Sequence, residues 1–418
     1  MTELPLLDID AIGRLVSRGE KRSHGSFHEY DLVTALQPVF SLAHKRMVGR
    51  EALVRVKNPL GQWVDPANLF ASEEDQGSTI KLDRLCRYIH ILNYMATKEE
   101  TNWLFLNVSP QVVVSGKRYG SFFGDLLNCL GFPPHRVVIE IIEHPIPDPD
   151  LLSETVNYYK AMGCLIAIDD FGVGHSNFER IWALSPDIVK LDRSIIARAS
   201  KVNTICRMLP GIVSLLHQSG VLVLIEGIET EDQAMMAMES NADFVQGFFF
   251  AKPLIPLNGG QGARYYSFDP LFHKYKSKVA LREEKEKTNF DYYFNLFIEA
   301  TRAIGEGAPV EEACSRILSD TSVHRCYLLM PTGIQIGETL TPKHYQNKGD
   351  LRFRPLEDSN NADWFGRHYL GRALAYPDQL QITRPHLSPG GGHTCVTLSM
   401  MFQTPSGSRV LCCDLDWE

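Results

Sequence analysis

Residues 164–175 read CLIAIDDFGVGH, an apolar run that ends in the adjacent acids Asp169 and Asp170 and passes at once into a glycine-bearing loop. Similar endings recur along the chain. Asn107 closes LFLNVSP, Glu140 and Glu143 follow RVVI, Lys190 sits in DIVKLD, Glu226 in VLVLIEG and Gln246 in DFVQGFF, while Glu51 lies within GREALVRV. Carboxylates gathered within a few ångströms raise one another's pKa, so a cluster of them calls for compensating cations. Oxygen donors with an amide and no thiolate suit the hard ions Mg²⁺ or Mn²⁺, whereas zinc usually brings His or Cys. Two such ions about 3.5–4 Å apart, sharing a carboxylate, stabilise the attacking and leaving oxygens of an in-line phosphoryl displacement. Asp169 is the natural bridge and Asp170 a ligand of the second ion.

These residues need elements that bring them together. From residue 30 to 250, short β-rich runs alternate with longer amphipathic stretches, the pattern of strands crossing through helices around a parallel sheet. Strands are read at TALQPVFS, GREALVRV, LFLNVSP, RVVIEII, CLIAIDD, DIVKLD, VLVLIEG and DFVQGFF. Eight strands over this length suit a closed, TIM-like (β/α)8 barrel. Only LAHKR joins the first two, too short for a parallel crossover, so TALQPVFS is expected to run antiparallel to the rest. A barrel collects the C-terminal ends of its parallel strands on one face, which is where catalytic groups of such folds gather.

After AKPLIPLNGGQGAR the pattern changes. Residues 264–306 read as one or two helices, with the mixed-sign stretch KVALREEKEKT on an exposed face. From about 321 the chain becomes β-rich, through HRCYLLMPTGIQI and DWFGRHYLGRALAY to a closing hairpin that turns at TPSGS. The expected organisation is a barrel over 26–258, a helical connector over 259–290 and an α+β domain over 291–418.

Composition sets bounds on the partners. The 418 residues carry a net charge of −8, which argues against a broad nucleic-acid-binding face. The opening MTELPLLDIDAIGRLV has acids where an export signal needs a basic segment, and no run reaches the roughly 18 apolar residues of a membrane span. A cytoplasmic protein without a membrane anchor is expected. Nine scattered cysteines without CxxC spacing read as reduced thiols, and strand alternation points the adjacent Cys412 and Cys413 apart.

The string REALVR at 50–55 resembles the signature of EAL-domain phosphodiesterases, which cleave the bacterial second messenger cyclic di-GMP to linear pGpG. LQPVF, NVSP, EIIE, DDFGVG, VKLDRS, IEGIET and QGFFFAKPL are similar to the successive family motifs, in order, over residues 35–254. The resemblance implies a first metal shell of Glu51, Asn107, Glu140 and Asp169, with Asp170 on a second ion. It implies a metal or general-base role for Glu226 and contact of Lys190 with the attacking water. Gln37, Leu53, Arg55, Asp192 and Gln246 match substrate contacts, and Glu143 and Glu229 match acids that brace the loop after the paired aspartates. Arg55 suits a phosphate because guanidinium donates two parallel hydrogen bonds. Taken alone, Gln37 and Asp192 read equally well as partners of loop backbone, and Lys190 as a counter-ion of Asp170. His175 reads as a loop residue, since the oxygen set is complete without it.

The chain departs from the family pattern in one place that matters. DDFGVGHSNF stands where DDFGTGYSSL is usual, so Val173, His175 and Asn177 alter the loop thought to join the metal site to a dimer surface. Ile142 replaces a Thr, and LFASEEDQG alters another segment. The C-terminal part resembles the PAS- or Cache-like domain that follows the barrel in YkuI-type proteins, which implies homodimers and an unidentified ligand. Arg367, Tyr369 and Asp414 are candidates for lining a concavity there, an internal Arg–Asp salt bridge being the alternative. Three functions are compatible with the pattern: a two-metal cyclic di-GMP phosphodiesterase regulated by the C-terminal domain; a weakly active or inactive receptor for the same dinucleotide; and an enolase-like barrel, which leaves Gln37 and Arg55 unexplained.

Overall fold

A computed structural model describes residues 8–19, 22–73, 75–108, 122–142, 149–173, 178–255, 266–345, 359, 361–388 and 394–416. The chain divides into two compact units, Met1–Lys276 and Ser277–Glu418.

Eight strands of the first unit close into a barrel: β1 (Tyr30–Ser41), β2 (Arg46–Lys57), β3 (Trp103–Val108), β4 (Val137–Ile142), β5 (Leu165–Phe171), β6 (Ile188–Leu191), β7 (Leu222–Ile225) and β8 (Phe244–Val245). Strands β2 to β8 are parallel in sequence order, and β1 closes the ring by pairing antiparallel with both β2 and β8. The reversal follows from the short connection, in which Lys45 adopts a φ of +52°. A hairpin of Val16–Arg18 and Ser23–Phe27 extends the sheet beyond β1, and Trp63–Val64 pairs with the end of β2.

Side chains that point into the barrel are two residues apart along each strand. The lower interior is apolar, filled by Val39, Phe105, Val138, Ala167, Ile188, Leu224 and Phe244. Two positions further toward the mouth, the interior residues become Gln37 on the reversed β1, then Glu51, Asn107, Glu140, Asp169, Lys190, Glu226 and Gln246. Gly49 explains how the bulky plug fits: a Cβ there would lie 2.6 Å from the Phe105 ring. The outward faces of the strands pack under the surrounding helices in one large apolar core.

The second unit is built on an antiparallel sheet. Its strands are β9 (Val323–Leu329), β10 (Gln335–Leu340), β11 (Gln381–Ile382), β12 (His386–Leu387), β13 (Thr394–Thr404) and β14 (Gly407–Asp416), in the order β10-β9-β14-β13-β11 with β12 also on β13. The two-residue β11 and β12 both pair with the long β13. One face buries Cys413, Leu411, Cys326 and Leu398 against Leu296, Phe297, Ala300 and Ile304 of the helix Asp269–Gly305. The other packs Cys412, Val410, Tyr327 and Leu329 against Tyr369, Leu370 and Ala373. Those three belong to a helix, His368–Ala375, and correct the β reading of this segment: their helical spacing presents one apolar stripe to the sheet.

Asp414 is fully buried on this second face. It accepts from Arg325 Nε at 2.6 Å and Thr397 Oγ1 at 2.6 Å, with Ser388 Oγ at 3.4 Å and Tyr327 OH at 3.5 Å. The internal salt bridge therefore exists, but its cation is Arg325 on the neighbouring strand. Arg367 is exposed and lies over the Trp364 ring.

Candidate active site

The crown of polar residues at the barrel mouth is assembled by strand register. Cα pairing sets Gln37 opposite Glu51 and Asn107 beside Glu140, while the β5–β6 pairing slips between Ile168 and Phe171. That slip lets two consecutive acids serve one site. Asp169 keeps the inward position, and Asp170 takes a left-handed φ of +58°, a conformation that aspartate tolerates better than most residues. The Asp170 N–H donates to Asp169 Oδ1 at 3.0 Å.

Lys190 stands at the centre with only 1% of its side chain exposed. Its Nζ lies 2.5 Å from Glu140 Oε1, 2.7 Å from Glu226 Oε1, 2.9 Å from Asp169 Oδ1 and 3.8 Å from Glu51 Oε1. Burial alone would lower this ammonium's pKa, but the four carboxylates together hold it well above its usual value. The acids respond in kind. Burial raises Glu140 far above the carboxylate range, with Glu51 and Asp169 adding to the effect against the opposing pull of Lys190. Glu226 is pushed up to about 8, again chiefly by burial, and Asp170 is raised by burial and by Asp169. Five carboxylates against one ammonium leave four negative charges unbalanced if all ionise.

The donor set fits divalent cations. Asp169, Asp170 and Glu226 each offer an oxygen within 4.8 Å of the others. Oε1 of the fully buried Glu140 meets the Lys190 ammonium, but no hydrogen bond from a described residue reaches its Oε2. Buried acceptors of this kind cost free energy unless something satisfies them. All the donors are oxygens, the preference of Mg²⁺, Mn²⁺ and Ca²⁺.

Around this centre, Glu51 is oriented by two amides: Gln246 Nε2 donates to its Oε2 at 2.7 Å and Asn107 Nδ2 to its Oε1 at 3.3 Å. Gln37 is buried next to Glu51 and its amide reaches Ala251 O at 3.5 Å. Leu53 and Arg55 continue along the Glu51 side of β2 toward the rim, where the half-buried Arg55 donates to Val54 O at 3.0 Å. Burial lowers the Arg55 pKa and Glu51 opposes that. Asp192 lies just past β6 and uses Oδ1 to accept from Ser194 N at 2.8 Å, as the N-cap of the helix Arg193–Ala199. Glu229 is exposed, and its N–H donates to Gln233 Oε1 at 2.8 Å. Glu143, His175 and Asn177 lie outside the described residues. Two structural features were not determined by the sequence: the Asp170 bulge, which the adjacent acids only suggest, and the packing of Ile195 against Gly172, where a Cβ would lie 2.4 Å from Ile195 Cδ1.

Fold and crown together define a class: a (β/α)8-type barrel with one reversed strand and a carboxylate ring at its C-terminal mouth. The EAL domain profile matches residues 21–253, and the chain belongs to that family. The Bacillus subtilis YkuI protein, an EAL-domain protein solved with cyclic di-GMP and calcium, superposes with a TM-score of 0.76 at 20% identity, over 93% of this chain and 96% of that one. The signaling protein YkoW of Bacillus subtilis is 28% identical over 231 residues, 53% of this chain and 28% of the relative. The cyclic di-GMP phosphodiesterase RocR of Pseudomonas aeruginosa is 26% identical over 234 residues, 55% of this chain and 58% of the relative. The match thus spans from about a quarter to under three-fifths of these curated relatives. No helix among the described residues is long and apolar enough to cross a membrane.

Proposed function

We propose that this chain is a cyclic di-GMP phosphodiesterase that opens one phosphodiester bond by water attack to give linear pGpG. The observation that carries the reading is the crown itself: five convergent acids around one buried lysine, with Oε2 of the fully buried Glu140 reached by no hydrogen bond from a described residue. A relative described as a cyclic di-GMP phosphodiesterase and a structural neighbour holding that dinucleotide support the choice of substrate.

Glu51, Asn107, Glu140 and Asp169 would hold one divalent ion, and Asp170 with Asp169 a second, with Glu226 as ligand or proton acceptor. Two bound Mg²⁺ or Mn²⁺ ions would supply the charge that activates water and stabilises the leaving oxygen. Lys190 holds the attacking water by its ammonium and limits mutual repulsion of the acids. Gln37, Leu53, Arg55 and Gln246 line the approach, with Arg55 placed for a phosphate oxygen. Glu143 and Glu229 would brace the loop after Asp170. The proposal includes a barrel over 26–258, a connector over 259–290, and a PAS- or Cache-like regulatory domain over 291–418 in a homodimer.

The test is incubation of the purified chain with cyclic di-GMP and Mg²⁺ or Mn²⁺, followed for linear dinucleotide. Product formation supports the enzyme. Tight binding without product in either metal supports the second reading, a receptor, which the altered loop favours: Val173, three residues past Asp170 where the family pattern has Thr, is an exposed apolar residue.

A further inference from the structure

The turn that follows β6 lies between the two turns that carry the rim acids. Strand β6 pairs with β5 on one side and β7 on the other, with Leu191 opposite both Phe171 and Ile225. Beyond it the backbone is clamped twice: the Asp192 N–H donates to Phe171 O at 3.2 Å, and the Glu226 N–H donates to Leu191 O at 3.1 Å. The first helical turn then fills the space between its neighbours. Gly172 has a φ of +107° and meets Ile195, while Gly227 has a φ of +65° and a Cβ there would lie 2.2 Å from Arg193 Cβ. Any side chain at either glycine would push the turn away. Asp192 fixes the turn's own shape, because its Oδ1 accepts from Ser194 N while its carbonyl accepts from Ile195 N at 3.0 Å.

We infer that the turn Asp192–Ile195 is a wedge that sets the distance between the Asp169–Asp170 pair and Glu226, and that Asp192 acts as a positioning residue through its cap. The inference rests on the proposed metal site. Its consequence is specific: loosening the wedge spreads the three acids whose oxygens lie within 4.8 Å of one another, and the site loses divalent cations before it loses the dinucleotide's phosphate and base contacts. A carboxamide caps a helix about as well as a carboxylate, whereas alanine does not, so the charge of Asp192 and its cap can be separated.

The experiment uses the full chain and titrates Mn²⁺ by electron paramagnetic resonance, with cyclic di-GMP binding measured in parallel and folding checked by circular dichroism. Asp192→Ala and Ile195→Ala should each weaken Mn²⁺ about tenfold, the lower end of what loss of a group supporting a metal ligand costs. Asp192→Asn should keep Mn²⁺ affinity within about twofold of the parent chain, since the amide oxygen still caps the helix. Unchanged Mn²⁺ affinity in folded Asp192→Ala would overturn the wedge. So would Asp192→Asn losing as much Mn²⁺ affinity as Asp192→Ala, which would assign the effect to the carboxylate's charge rather than to its cap. A parent chain that binds no Mn²⁺ would overturn the metal site itself, and that failure is visible without any variant.

Discussion

Glu140 and Asp414 are both fully buried acids on central strands, one in each unit, and their surroundings differ in every other respect. Asp414 has one guanidinium at 2.6 Å, a threonine hydroxyl at 2.6 Å, and a serine and a tyrosine at the edge of hydrogen-bond range. Its charge is matched by Arg325, so the cluster is closed. Glu140 shares a single ammonium with Glu51, Asp169 and Glu226, and no hydrogen bond from a described residue reaches its Oε2. A buried ion pair with its hydrogen bonds made is consistent with structure alone. A buried cluster with surplus charge lowers stability unless something else binds, and such surplus marks functional sites.

The contrast predicts opposite responses to removal of an acid. Asp169→Asn should cut hydrolysis of cyclic di-GMP by at least about a thousandfold, since bound metals supply several kcal/mol of transition-state stabilisation, yet leave denaturant stability unchanged or higher because repulsion falls. Asp414→Ala should do the reverse. Leaving Arg325 buried and unpaired costs about 3 kcal/mol, read as a lower urea midpoint for the second unit. A destabilised Asp169→Asn chain, or an Asp414→Ala chain as stable as its parent, would remove the distinction.

Gln246→Ala sits between these extremes. Its amide holds Glu51 at 2.7 Å, so its loss should reduce Mn²⁺ affinity by about tenfold, with little change in unfolding. The smallest effect concerns pH in the metal-free chain. Burial raises the Glu226 carboxyl from an ordinary 4.5 to about 8, so the folded chain keeps a proton that the unfolded chain releases. The corresponding stability is fully present below pH 4.5 and is lost as pH rises through about 8. Metal-free protein should melt at a lower temperature toward pH 8, and Glu226→Gln should flatten that slope. An equal slope in the variant would assign the pH dependence elsewhere.

The crown was legible in the sequence, whereas of the closed cluster only an Arg–Asp pairing at Asp414 was read, not its partner, for a physical reason. A barrel exposes the same strand end to one face, so a polar residue that closes an apolar run announces its destination. Asn107, Glu140, Asp169, Lys190, Glu226 and Gln246 follow that rule, Glu51 was placed by the family motif and the parallel run of its strand, and the short LAHKR connection marks the reversed strand. Asp414 pairs with Arg325, 89 residues away across an antiparallel register that no local pattern specifies. The helix His368–Ala375 was hidden by the flanking aromatics Trp364, Phe365 and Tyr376 and by Gly371, although its Leu, Ala and Arg favour a helix and its apolar stripe meets the sheet. The bulge that aims Asp170 depends on a register slip between β5 and β6, which adjacent acids suggest but do not determine.

The central claim, that divalent cations balance the crown's surplus charge, is tested most directly by counting Mn²⁺ bound per chain with saturating cyclic di-GMP. Two ions in the parent chain, falling to at most one in Asp170→Asn, is the predicted result. A parent chain that binds the dinucleotide with no Mn²⁺ at all would contradict it.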